Sequence, residues 1–206
     1  MSPYSAINQP YAERVRLRYS YRIDPTPGQR LALARAFGCA RVVFNDALRM
    51  RNDAQHNGLP FVTDADLSAA VITEAKKRPE RAWLCEVSAV VLQQALADCT
   101  TAFRNFFSSV SGKRKGPKIA PPRYRSKKDN RQAIRFTKNA RFKITEGGKL
   151  SLPKIGDIAV RWSRDLPSEP SSVTVIKDAA GRYFASFVVQ VTETALPKVA
   201  AATGID

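Results

Sequence analysis

The chain has one histidine, three cysteines and, over one long stretch, almost no acidic residues. With His56 standing alone, neither a histidine-based metal site nor a Ser/His catalytic pair is supported. Cys39, Cys85 and Cys99 are odd in number and lie among apolar residues. They show no Cys-x-x-Cys or Cys/His spacing suited to zinc, which fits reduced core residues of a cytosolic protein. No apolar run is long enough to span a bilayer, and the N-terminus lacks the charged-then-apolar order of a signal segment. Negative charge is scarce: 18 Asp and Glu face 34 Lys and Arg, for a formal net charge of +16. A hydrophobic fraction of 44% is normal for a folded chain, so this is not a disordered basic protein. The surplus points to a polyanionic partner, nucleic acid ahead of an acidic membrane surface.

Most of that surplus sits between Lys113 and Lys143, where thirteen Lys and Arg residues are opposed by Asp129 alone. A charge run is ordinarily a solvated face or a disordered tail. This one lies mid-chain and has Tyr124, Phe136 and Phe142 threaded through it. Aromatic rings among cations can stack on exposed bases while the cations neutralise phosphates, so the stretch reads as a nucleic-acid contact segment.

The rest of the chain positions that segment. Residues 1–12 are polar and aperiodic and read as a flexible leader. Arg14–Ile23 alternates strictly, apolar residues on one face and Arg14, Arg16, Arg18 and Arg22 on the other, which predicts a half-buried strand with a cationic outer side. Such a strand must pair far downstream. Thr26-Pro27 predicts a helix cap, and Leu33, Phe37, Ala40, Phe44, Ala47 and Leu48 set an apolar stripe over Gly28–Asn52, with Arg41, Asn45 and Arg49 mostly off it. A second helix is predicted from Thr63, as a weak capping box with Asp66, to just before Pro79. Ser88 is predicted to cap a third, running to Val110. These three helices can close as a small bundle. Beyond the basic segment the period changes to two, and six short strands are predicted between Ala133 and Val191. With the opening strand they suffice for an α+β fold, a small β-barrel of the oligonucleotide-binding kind interrupted by the helical bundle. The expected divisions are the first barrel strand over 13–25, the inserted helices over 26–112, a basic linker over 113–131 and the rest of the barrel over 132–196. Residues 199–206, VAAATGID, read as a short apolar strand ending in a carboxylate.

In this order and spacing the pieces resemble a known family. They are the basic strand followed by Pro25-x-x-x-Gln29-Arg30-Leu31, CARVVFNDAL (Cys39–Leu48), WLCEVSAVVLQQAL (Trp83–Leu96), AFRNFF (Ala102–Phe107), PPRYRSKKD (Pro121–Asp129), IRFTKNARFKI (Ile134–Ile144), GKLSLPKIG (Gly148–Gly156) and the terminal GID. Together they resemble the N-terminal half of TnpB (OrfB-type) proteins, transposon-encoded RNA-guided DNA endonucleases related to type V CRISPR effectors. The resemblance implies a wedge barrel, an inserted recognition lobe, and residues 197–206 as the start of a RuvC-like domain with the RNase H fold. It implies a guide RNA from the transposon end and double-stranded target DNA as partners, without a membrane, in the bacterial cytoplasm beside the nucleoid.

By similarity, Phe61, Gln93, Thr137 and Lys138 match positions that read a short DNA motif beside the target. Ala89 also aligns with a contact position but offers no polar group. The remaining cations, Arg14, Arg16, Arg18, Arg41, Arg49, Lys113, Arg114, Lys115, Lys118, Arg123, Arg125, Lys127, Lys128, Arg135 and Arg141, together with Tyr124, are expected to hold RNA and phosphate. Asp206 matches the first RuvC-type carboxylate. It would ligate metal only with the other acidic ligands supplied, so no cofactor is expected in this chain, with Mg2+ and a structural zinc expected for the full-length family. One carboxylate cannot organise a two-metal site, and cleavage by this chain alone is not expected. Two other readings remain open. One is a helix-turn-helix DNA-binding transposase or regulator that acts without RNA; the other is a general RNA-binding protein.

Overall fold

The computed structural model describes residues 14–192. The expected leader over residues 1–12 and the terminal GID, Asp206 included, lie outside the described residues. The opening strand β1 (Arg14–Asp24) carries its alternation into the fold: Tyr21 and Ile23 are buried, while Arg14, Arg16, Arg18 and Arg22 are exposed. Its partner is the last described strand, β7 (Tyr183–Thr192), in an antiparallel ladder from Arg14↔Thr192 to Ile23↔Tyr183. Between them in sequence come β2 (Gln132–Thr137), β3 (Lys143–Ile144), β4 (Leu150–Leu152), β5 (Gly156–Arg161) and β6 (Ser172–Lys177). All pairs are antiparallel and the order across the sheet is β2-β6-β7-β1-β5-β4-β3.

The sheet is open, which corrects the barrel expected from the sequence. Its edges are β2 and β3, and although only residues 138–142 separate them, they do not pair. A 3-10 turn at Lys138–Ala140 buries Ala140, and Arg141 follows in the left-handed region at φ 57°, so the chain leaves β2 at an angle. The two residues of β3 then offer little ladder to complete a ring. Helix packing takes the place of strand pairing on the core side of β2, against which α1 (Pro27–His56) and α3 (Ala89–Val110) lie. At the other end of the sheet β5 divides its pairing. Gly156–Ile158 face β4, and Ala159–Arg161 face β1.

Thr26 caps α1 with the full reciprocal box: its hydroxyl accepts from the Gln29 N–H, and the Gln29 side chain accepts from the Thr26 N–H. Ser88 occupies the cap position of α3 but makes no side-chain bond there. The second predicted helix is broken up. Only α2 (Asp64–Ser68) is α-helical, Ala69–Glu74 widens to π geometry, and Ala75–Lys77 tightens to 3-10. The β-branched run Val71-Ile72-Thr73 is a weak helix former, and the widened turn places Val71, Ile72 and Ala75 in the core. Pro79–Glu86 then forms a 3-10 segment with Leu84 buried. Tyr21, Ile158 and Phe187 of the sheet share one core cluster with Leu33, Val43 and Leu92 of the helices.

Candidate nucleic-acid interface

Residues 113–131 form no helix or strand, yet they are fastened along the helices. At the C-terminal end of α3 the Arg114 N–H donates to the Ser108 carbonyl at 3.0 Å, and the Ile119 N–H donates to Ser109 Oγ at 2.9 Å. Further along, the Arg125 N–H donates to Asn45 Oδ1 at 2.8 Å, and Asn45 Nδ2 donates back to the Arg125 carbonyl at 2.9 Å. A side-chain amide on α1 thus satisfies both main-chain groups of one residue, as a neighbouring strand would. The Arg125 guanidinium lies 3.8 Å from the Phe44 ring centroid and donates to Asp98 on α3 at 3.1 Å. Beyond it, the Ser126 N–H donates to Asp129 Oδ2 and Gln132 Nε2 to the Lys127 carbonyl. The segment is therefore a strap, ordered by the protein's own hydrogen bonds.

This fastening divides the predicted phosphate-binding cations. Lys113, Arg114, Lys115, Lys118, Arg123, Lys127, Lys128 and Arg141 are exposed and have no ion-pair partner among the described residues; the same holds for Arg14, Arg16 and Arg18 on β1. Arg41 is half-buried and likewise unpaired. Tyr124 is 57% exposed among them. Arg125 and Arg135 share Asp98, and Arg49 pairs with Asp46. These three neutralise acids inside the molecule and have less to offer a phosphate. Phe44, Asn45 and Asp98, which fasten the strap, are not among the predicted site residues; Asn45 beside Arg41 and Arg49, off the apolar stripe, is the hint that the sequence offers. Arg41 and Arg131 line a cleft of about 310 Å³ between strap and helices, floored by Phe37 and Ala40.

The residues matched to motif reading fall into two groups. Gln93, in the first turns of α3, is exposed and donates to Ser68 Oγ at 3.0 Å. The 138–140 turn that carries Lys138 touches α3, whereas the contact that Gln93 makes is to Ser68 of α2. Thr137 is half-buried with no partner for its hydroxyl among the described residues, and Lys138 pairs with Glu169 at 3.2 Å. Phe61 stands apart, edge-on to Phe103 and Phe107 and 4.4 Å from the Arg51 guanidinium. Phe103 lies ten residues along α3 from Gln93, about 15 Å at helical rise.

Arg51 is buried, donating to Asp64 at 2.6 Å, to Thr100 and to the Val62 carbonyl. The Asp64 carboxyl is held below its ordinary value by the Thr100 hydroxyl first and by Arg51 second. Burial pushes the Cys39 thiol up to about 11, and Cys99 is raised for the same reason, so both are unreactive thiols. Among the described residues no three His, Cys, Asp or Glu side chains cluster to hold a metal ion. No helix among them is long and apolar enough to cross a membrane.

A family model described as a helix-turn-helix domain, of the OrfB type of IS605 elements, matches residues 15–58. Here those residues form β1 and the single uninterrupted helix α1, followed by the turn at Asn57-Gly58. A protein of Streptomyces pristinaespiralis named as an RNA-guided DNA endonuclease is 42% identical over 197 residues, covering 94% of this chain and 46% of that protein. InsQ of Escherichia coli strain K12, named in the same way, is 27% identical over 188 residues, 91% of this chain and 44% of that protein. Virulence protein VsdF of Salmonella dublin is 33% identical over 92 residues, 42% of this chain and 77% of that protein. The chain spans about half the length of the two endonuclease-named relatives.

Proposed function

Because the chain belongs to the OrfB/TnpB family of RNA-guided DNA endonucleases, to whose N-terminal nucleic-acid-binding region it corresponds, we propose that it holds a guide RNA from a transposon end and inspects a short motif in double-stranded DNA. The observation that carries this reading is the strap: exposed cations that, Arg125 aside, have no acidic partner among the described residues, held in place by main-chain bonds to the helices. Preordering lowers the entropy cost of binding a structured RNA. Lys and Arg along the strap and β1 supply affinity without sequence, whereas the Gln93 amide and the Thr137 hydroxyl can match base edges. Lys138 adds a phosphate or base contact once it releases Glu169, and Phe61 extends the reading surface along α3. Base pairing to the guide then carries most of the specificity, as in RNA-guided effectors generally. Metal-dependent cleavage is assigned to carboxylates outside the described residues, Asp206 first by resemblance.

The helix-turn-helix reading has its support in the family model matched to residues 15–58. One strand and one helix within that range do not form a pair of helices crossing over a short turn. The two readings separate in one experiment. Protein purified from cells is stripped with RNase and tested against a library of randomised duplexes. The RNA-guided reading expects a discrete co-purifying RNA and loss of site-specific binding after RNase. Duplex binding with unchanged sequence preference after RNase would favour the regulator.

A further inference from the structure

We infer that the outer face of the sheet carries an unpaired stretch of RNA, with one base stacked on Phe184; this rests on the RNA-binding reading above. On that face β1 presents Arg14, Arg16, Arg18 and Arg22, the first three in two-residue steps of about 6.8 Å. Arg16 and Arg18 are exposed and in no ion pair among the described residues, so the row is free to follow a phosphate backbone. Register places Phe184 of β7 between Arg22 and Ile176. Its half-buried ring is flanked by two guanidiniums, Arg22 and Arg182, each 5.9 Å from the centroid. Arg182 is fixed there by Asp178, which accepts from its Nε at 2.7 Å and from its N–H at 2.8 Å. A base fits such a place through its π-face, against the ring or against the guanidinium planes, whatever its sequence.

The platform is continuous with the strap. Lys127, Lys128, Asp129 and Asn130 line a cleft of about 220 Å³ together with Lys177 at the end of β6 and Asp178 in the turn to β7. A strand leaving the strap there meets Arg182 and Phe184 next, then Arg22 and the arginine row of β1. Charge complementarity favours nucleic acid over a protein partner. Three acids lie on this path: Asp24 and Asp178 are held by Arg161 and Arg182, and Asp129 accepts from the Ser126 N–H, leaving the cations there in excess. Exposed backbone and bases together favour a single strand over a duplex, whose bases are turned inward.

The test uses the whole chain with two probes, a short oligoadenylate containing 2-aminopurine and an RNA duplex of the same length. Wild type is expected to quench the 2-aminopurine on binding. Phe184→Leu keeps the apolar volume but loses the ring; it should weaken the oligoadenylate about tenfold, abolish the quenching and leave duplex affinity unchanged. Arg22→Gln, which breaks no ion pair among the described residues, should shift both readouts the same way by less and covers the case in which Phe184→Leu fails to fold. Joint substitution of Lys127 and Lys128 by Gln should weaken both probes. Unquenched wild type, or folded Phe184→Leu that binds oligoadenylate like wild type while the lysine variant loses both probes, overturns the platform and leaves the RNA reading standing. Absence of binding to either probe by wild type overturns both.

Discussion

Among the described residues, the ion pairs that take their cation from the helices have no counterpart along the strap and β1 save that of Arg125. Within and around the helices, Arg35, Arg49, Arg51, Lys77 and Arg81 each pair with an acid, and Arg51 is buried in a cage of Asp64, Thr100 and two aromatic rings. Along the strap and β1 the cations other than Arg125 are exposed and in no ion pair among the described residues, while main-chain bonds to Asn45, Ser108 and Ser109 keep the strap in place. The difference separates charge that builds the protein from charge left for a ligand. Arg125 marks the border: it lies in the strap by sequence and with the helices by chemistry.

The largest effect expected of this contrast is at Arg51. Arg51→Ala opens buried space beside Phe61 and Phe103 and strips their cation, while exposed Asp64 keeps its Thr100 hydrogen bond and water, at a cost of about 2–4 kcal/mol in urea unfolding. The pH dependence has a definite sign. Asp64 is depressed in the folded state, so its contribution is complete above the ordinary carboxylate value of 3.8 and is withdrawn as pH falls through the lowered folded value. Acid unfolding of wild type should therefore steepen below about pH 4, and Asp64→Asn should flatten that limb. Wild-type stability at Arg51→Ala would erase the distinction between the two regions.

Next in size are the readers. Gln93→Ala or Thr137→Ala should remove about 1–3 kcal/mol of discrimination between motif-bearing and scrambled duplexes, with RNA affinity unchanged. Equal loss of both would show that reading and gripping are not separable. Arg125→Ala should cost about 1–2 kcal/mol of stability by removing the Phe44 stacking and the Asp98 pair. It should also increase proteolytic cleavage between Lys113 and Lys128, sharpening where the border falls.

How much of this could be read from the chain itself follows from the range of each interaction. Period-two and period-3.6 patterning located every described strand and both long helices, and Thr26-Pro27 showed the cap, because those signals lie within a few residues. Closure of the sheet depends on whether β2 and β3 meet, which turns on the left-handed Arg141 and the inner-face packing of α1 and α3. A local pattern carries neither. Arg125 looked like its neighbours because Asn45 and Asp98 are remote in sequence. Phe184 looked like an ordinary strand residue until register set it beside Arg22.

The smallest effect on folding, and the most direct measure of the central claim, comes from Lys115, Lys118 and Arg123 replaced together by Gln. Stability should stay within about 0.5 kcal/mol of wild type. The slope of log affinity for RNA against log salt should fall by about two, since each phosphate of a single strand that is no longer neutralised removes about 0.7. An unchanged slope with unchanged affinity would mean that these cations touch no phosphate, and that the strap's open charge is not the surface on which nucleic acid binds.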